Sequence, residues 1–482
     1  MYLKYFKWSN NEYSNLNKKF KEHSLLNNVQ FYFPILSMFF NYSNSNKSRK
    51  TLDVDRRFRV IDIVNCISAS PHCSNKYLGT IVYDKCTNSI KTKKLFLKSI
   101  PIIDIIHYCT NKYDISNSLL PSNYRYNIQS KINNMNNSAY IDAFFSIIAS
   151  HLYLSNKTPS LSICYGTYIG TGDYIYNVSS EFSYMQEYTF FNKQIGNLFD
   201  ISVEDNYYSN DSDDSDDSDD SDDSSYSNYS SDISDDSTII LCLKNIPLQQ
   251  VILERLEGTL EDYLNSDNFN IDILLSCFFQ ITFCLAYLQK HYNFCHNDLH
   301  INNIMYTSTK LEYLYYKFNN IYFKVPTYGK IFKIIDFGRS VFDFNKKKYF
   351  SDSFSKHGEA DGQYTYPIQN IPLYNNDNTN NIPINYSFDL CRLSTTILDA
   401  LNEFTPEKSE LLDKFMILLN KILSDKSGEC IYDPDNVSFQ LYIDLAKYSC
   451  NGIPKNILNE DIFDIYKIKK NMINNNHVYN LN

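Results

Sequence analysis

His296-Asn297-Asp298-Leu299-His300-Ile301-Asn302-Asn303 is the stretch on which the reading of this chain turns. It follows an apolar run, residues 271–290, in which Leu274, Leu275, Phe278, Ile281, Leu285 and Leu288 recur at helical spacing. A polar loop placed directly after a buried helix gathers proton-accepting and hard-oxygen groups at one point. Downstream, Ile334-Ile335-Asp336-Phe337-Gly338 sets a second aspartate at the end of a short apolar run. The two aspartates lie 38 residues apart. Within that interval, residues 311–318 and 321–325 around Asn319-Asn320 read as a β-hairpin.

Together the two stretches resemble the catalytic loop and the D-F-G motif of the protein-kinase superfamily. The step from Asp298 to Asn303 matches the H-R-D-x-x-x-x-N spacing. Read plainly, they are an Asn-rich surface turn and a chance D-F-G; their order and context favour the resemblance. It implies ATP as phosphate donor and Mg2+ as cofactor. Phosphoryl transfer asks a protein mainly for positioning and charge neutralisation. Asp298 would orient the acceptor hydroxyl and receive its proton. Asn303 and Asp336 would bind the metal and, through it, the nucleotide. Gly338 completes the D-F-G turn, and His296 braces the loop from the core.

Working outward, runs 59–64, 79–83 and 94–98 are strand-like. Lys98 is the match for the family's phosphate-binding lysine; its plain reading is a solvated strand lysine. A helix capped by Asn137 or Ser138 follows, with Ile141, Phe144, Phe145, Ile148 and Leu152 on one face. The family pairs its lysine with a helix glutamate, and Asp142 is the only acid in this segment. The run 253–258 resembles the hinge that meets adenine, which implicates Leu253, Glu254 and Leu256. Asp389, in 387–392, resembles the helix aspartate that buttresses the catalytic loop; read plainly, it is an acid at a helix N-terminus.

Three departures from the family pattern stand out. The glycine-rich loop expected across 67–80 has only Gly79, with Ser68, Ser70 and Ser74 nearby. Asn297 replaces the usual arginine, so activation by loop phosphorylation is not expected. His300 stands where Ser/Thr kinases have lysine: protonated it would reach the γ-phosphate, neutral it would only hydrogen-bond. This form also resembles small-molecule phosphotransferases, and a catalytically inactive scaffold is a further alternative.

The net charge of −10 belongs to one segment. Residues 204–236 hold 14 acidic side chains and no Lys or Arg, which leaves 41 acids against 45 bases elsewhere. Neither a nucleic-acid partner nor a membrane is expected. The Asp-Ser-Asp repeat to Asp223 cannot bury a core, so 172–237 is expected to be a disordered insertion. The run 271–288 is interrupted by Asp272, Ser276 and Gln280, which argues for a core helix. Twelve cysteines without C-x-x-C spacing point to a reducing, cytoplasmic compartment. An excess of Asn, Ile and Lys suggests an AT-rich genome, and the chain looks like kinases of large DNA viruses; host cytoplasm or virion would then be its place.

The expected fold is α+β and bilobal, a small β-rich N-lobe before a larger helical C-lobe. The expected divisions are an N-terminal extension (1–50), an N-lobe (57–258), a C-lobe (259–468) and a polar tail (469–482). The expected reaction is transfer of the ATP γ-phosphate to a serine or threonine of a protein substrate.

Overall fold

The computed structural model describes residues 9–31, 57–113, 127–204, 237–368, 381–404, 407–434, 438–473 and 476–481. The acidic repeat and the 41–50 linker lie outside them. The chain is a mixture of helices and sheets built on a curled antiparallel sheet.

Helix α1 (Asn10–Glu22) starts in a capping box: Ser9 Oγ accepts from Glu12 N, and the Glu12 carboxylate accepts from Ser9 N. Its buried Leu16 and Phe20 pack towards the sheet. Strand β1 (Asn27–Gln30) then joins that sheet, so part of the N-terminal extension belongs to the fold. Strands β2 (Phe58–Ser68), β3 (Lys76–Asp84) and β4 (Ser89–Pro101) form an antiparallel meander. In β3, Leu78, Thr80, Val82 and Asp84 are buried at every second position, the period of a one-sided strand.

After α2 (Ile105–Cys109) and α3 (Asn127–Ile132) comes α4 (Ser138–Leu154), almost wholly buried. Asn137 caps it, its Oδ1 accepting from Ala139 N. Then follow β5 (Cys164–Asn177), α5 (Phe182–Gln186), α6 (Thr189–Gln194), β6 (Phe199–Glu204) and β7 (Thr238–Glu254). The sheet order is β1-β5-β7-β4-β3-β2, with β6 on β7. It curls far enough that Phe58 of β2 meets Tyr165 of β5, ring centroids 5.4 Å apart.

The insertion expected over 172–237 is therefore corrected: residues 172–204 are folded. Tyr174–Asn177 pair with Leu243–Ile240 on one side of β7, and β6 pairs on its other side. Phe191 and Phe199 stack beneath them, 4.9 Å apart. Alternating Phe199, Ile201 and Val203 carry a strand signal that the neighbouring charge run obscures.

Beyond β8 (Gly258–Thr259) and α7 (Leu260–Leu264), α8 (Ile271–Tyr292) is buried at every position from Leu274 to Leu288. It is long and apolar enough to cross a membrane, yet 83% of its apolar window is buried in the fold. The next strands are β9 (Ile304–Ser308), β10 (Tyr313–Phe318), β11 (Ile321–Pro326), β12 (Lys330–Ile334), β13 (Val341–Phe344) and β14 (Lys347–Phe350). The expected hairpin is present: β10 and β11 pair from Tyr313↔Pro326 to Phe318↔Ile321. Asn319 and Asn320 turn it with φ of 49° and 63°, a conformation asparagine tolerates. Helices α9 (Phe388–Phe404), α10 (Glu410–Ile422), α11 (Phe439–Tyr448) and α12 (Pro454–Ile457) complete the helical part.

This second half carries more strand than expected. β15 (Lys467–Ile468) pairs with β11, and the polar tail adds β16 (Val478–Asn480), which runs parallel to β10. Leu481 is buried behind it, and Lys290 Nζ donates to its carbonyl at 2.7 Å.

Candidate functional site

The polar loop after α8 is held from below by Asp389 in the first turn of α9. Asp389 is fully buried; its Oδ2 accepts from His296 N and its Oδ1 from Asn297 N, both at 2.9 Å. Burial raises its pKa, opposed by the two backbone hydrogen bonds it accepts. The His296 ring lies against Phe337, centroids 5.7 Å apart, and its Nε2 donates to Ile335 O at 2.9 Å. Thus one histidine ties the loop to the strand end that carries Asp336. Asn297 takes a left-handed φ of 66°; its side chain accepts from Tyr364 Oη and donates to Arg339 O. Where the usual arginine would reach outward, this asparagine is spent inside the fold.

Asn303 donates through Nδ2 to Asp298 O at 2.8 Å, and the same nitrogen lies 3.0 Å from His300 Nε2. Burial lowers the His300 pKa, against the pull of Asp298, which favours a neutral ring with one accepting nitrogen; Asn303 Nδ2 beside Nε2 and Asn302 N, 3.3 Å from Nδ1, compete for it. Of the two roles open to His300, the structure favours the hydrogen-bonding one.

Lys98 on β4 lies between two carboxylates, 2.9 Å from Asp142 Oδ2 and 2.8 Å from Asp336 Oδ1. Burial works against its charge, but the two acids outweigh it and raise its pKa. The same lysine holds the Asp336 carboxyl down at about 2, against burial. Asp142 is displaced upward by burial, with Lys98 opposing. Its Oδ1 accepts from Phe337 N at 2.9 Å, so α4 is bonded to both β4 and the Asp336 turn. Asp336 itself has φ of 63°, a left-handed conformation that turns its carboxylate towards Lys98.

Lys98, Asp142, Asp298, Asp336 and Gly338 all line one cavity of about 810 Å³. Two carboxylates from separated loops, a helix carboxylate and a partly buried lysine are thus assembled around one space.

No family model matches the chain. A stretch of 105 residues is 39% identical to a probable serine/threonine-protein kinase of Dictyostelium discoideum. That match covers 20% of this chain and 9% of the relative's length, and it supports a kinase-like relationship. The viral kinship suggested by composition rests on composition alone.

The hinge residues stand apart. Leu253, Glu254 and Leu256 do not line this cavity. Leu253 and Leu256 are nearly buried. The expected adenine contact through Glu254 is corrected for its N–H, which donates to Ile163 O at 2.9 Å. Its carboxylate accepts from Ile163 N and pairs with Lys333, which is itself buried. Burial lowers the Lys333 pKa, against the attraction of Glu254. Gly79 is also corrected: it lies inside β3, donating to Asn65 Oδ1 at 2.8 Å. A Cβ there would come 2.3 Å from that oxygen, so close approach of Asn65 explains this glycine. The turn between β2 and β3 is instead Ala69–Asn75, closed by Ala69 N to Asn75 O. Ser74 within it accepts from Ile175 N at 2.6 Å.

Two side chains at the site went unread in the sequence. Arg339 Nη1 is 3.3 Å from Asp298 Oδ1, and Tyr442 Oη donates to the same oxygen at 3.0 Å. Arg339 directly follows Gly338, and that adjacency is the one signal the sequence offers for it. Tyr442 on α11 is 144 residues from Asp298, and no local pattern announces it.

Proposed function

We propose that this protein is an ATP-dependent phosphotransferase of the protein-kinase type, passing the γ-phosphate to a serine or threonine hydroxyl of a protein. The observation that carries the reading is Lys98 bridging Asp142 and Asp336 at the wall of the cavity that Asp298 also lines. In this reading the curled sheet and the helical part are two lobes with the nucleotide between them.

Lys98 is placed to bind the α- and β-phosphates, its charge kept by Asp142. Asp298 orients the acceptor hydroxyl and takes its proton as the new O–P bond forms, while the bond from the γ-phosphorus to the bridging oxygen breaks and ADP departs. Asn303 Oδ1 and the Asp336 carboxylate would hold Mg2+. Two hard oxygens suit an ion that keeps water and phosphate as its remaining ligands, and bound Mg2+ would neutralise phosphate charge. Leu253 and Leu256 are proposed to contact adenine. A reducing, cytoplasmic setting is supported by all twelve cysteines being free.

The test is incubation of the full chain with radiolabelled ATP and generic protein acceptors, beside a thermal-shift series with ATP, with and without magnesium. Label on protein and magnesium-dependent stabilisation by ATP are expected. Stabilisation absent and label absent would replace the enzyme with a binding scaffold.

The His300–Asn303 hydrogen bond adds a pH prediction. The folded state favours neutral His300, so its contribution is present above the ordinary histidine pKa of about 6.5 and is lost as pH falls below it. Protonation leaves neither ring nitrogen able to accept from Asn303 or Asn302. Transfer rate is expected to drop on that acid limb, with a rising magnesium requirement. His300→Gln, whose Oε1 can accept without titrating, is expected to flatten the limb; an unchanged limb in that variant would remove His300 from the account.

A further inference from the structure

Asp352 sits 16 residues beyond Asp336 and is 5% exposed. It opens a short 3₁₀ turn, Asp352–Phe354. Its carboxylate is gripped by the junction of α3 and α4. Lys131 Nζ is 2.6 Å from Oδ2, and Asn134 Nδ2 is 3.2 Å from the same oxygen. The backbone N–H of Ser138 donates to Oδ1 at 3.1 Å, and Asp352 N donates to Asn136 O at 2.7 Å. The chain thus presents three donors, one charged, to a single internal anion.

Ser138 is the first residue of α4, and Asp142 lies four residues on, about one helical turn. Whatever fixes the start of α4 therefore fixes the reach of Asp142 to Lys98. The same segment grips the helix a second time, where Phe337 N donates to Asp142 Oδ1. The Phe144 ring packs edge-on against Phe344 and Tyr349, centroids 5.4 and 5.0 Å away, which secures the strand pair between the two grips.

We infer that Asp352 is a positioning residue. Its carboxylate seats the start of α4 and so aims Asp142 at Lys98, leaving the site assembled without any modification of the segment after Gly338. A phosphorylated side chain would order such a segment through new charge-assisted bonds. Here a carboxylate encoded in the sequence already makes them. The inference rests on the proposed function only for its activity readout.

The test uses Asp352→Asn, Asp352→Glu, Lys131→Met and the Asp352→Asn/Lys131→Met pair in the full chain. KM for ATP-Mg and kcat are measured separately, and hydrogen exchange is followed across residues 138–143. Small misplacements of positioning groups cost up to about a hundred-fold. Asp352→Asn is expected to raise KM for ATP-Mg on the order of ten-fold, to lower kcat less, and to speed exchange at the start of α4. Asp352→Glu is expected to recover most of the loss. The pair is expected to be no worse than Asp352→Asn, because both changes break one contact. Phosphatase treatment of the wild type is expected to leave its rate intact.

Unchanged KM and exchange in Asp352→Asn would overturn the inference, as would activity lost on phosphatase treatment. If Asp352→Asn does not fold, Lys131→Met, at a partly exposed position, carries the same comparison. Should the wild type transfer no phosphate at all, the functional reading fails by itself. The exchange data then decide the inference: faster exchange supports it and equal exchange overturns it.

Discussion

Asp298→Asn is expected to lower phosphate transfer by about a thousand-fold while the melting temperature moves by no more than a few degrees. The size follows from the role: removing a positioned proton acceptor costs about 10²–10⁴-fold. The amide has nearly the shape of the carboxylate, and its oxygen can still accept from Tyr442 Oη and face Arg339. What is lost is the ability to hold the acceptor proton. Arg339 keeps Glu359 as a carboxylate partner at 3.5 Å, so its charge is not stranded by the change. Nucleotide binding should survive, since Lys98, Asp142 and Asp336 do not depend on Asp298 for any bond. Initial rates with radiolabelled ATP, beside a melting curve with ATP-Mg, separate the two effects. A variant that transfers at the wild-type rate would remove Asp298 from the chemistry and leave the cavity as a binding site only.

How much of this site the sequence exposes depends on the range of each contact. Asp298, Asn303 and His300 interact with one another across five residues or fewer, so spacing alone places them. The hairpin 313–326 is legible for the same reason, its two asparagines setting the turn. Asp142 and Lys98 are 44 residues apart, and only a known pairing in the family joins them. Tyr442 and the Lys131–Asp352 contact have no periodic signal, since 144 and 221 residues separate their partners. The folded arm at 172–204 was obscured for a different reason. Its alternating apolar residues adjoin a charge run strong enough to dominate any window that includes both. Gly79 misleads in the opposite way, since a glycine near an expected phosphate loop serves instead to admit the Asn65 side chain.

Asp389→Ala is expected to cost about 3 kcal/mol or more of stability and to abolish transfer with it. Asp389 is fully buried and is the acceptor for two backbone donors, His296 N and Asn297 N. Alanine leaves both N–H groups buried without these partners, at about 1–3 kcal/mol each. Part of this is offset, because burial already opposes the charged form of Asp389 and its removal relieves that strain. The expected loss therefore lies towards the low end of the summed penalty. At about 2–4 °C per kcal/mol for a large domain, the melting temperature should fall by roughly 6–12 °C. Transfer fails for a separate reason. Asn297 at φ of 66° and the Asp298 backbone beside it are held in a tight turn by these bonds, and the carboxylate that meets the acceptor loses its fixed aim. Asp389→Asn distinguishes the two losses. Its oxygen can keep one of the two bonds while its NH2 faces the other donor, so stability and rate should fall between wild type and alanine. Equal melting temperatures for wild type and Asp389→Ala would show that the loop is held by other contacts. In that case the Tyr364–Asn297 and His296–Ile335 bonds would be the ones to remove next.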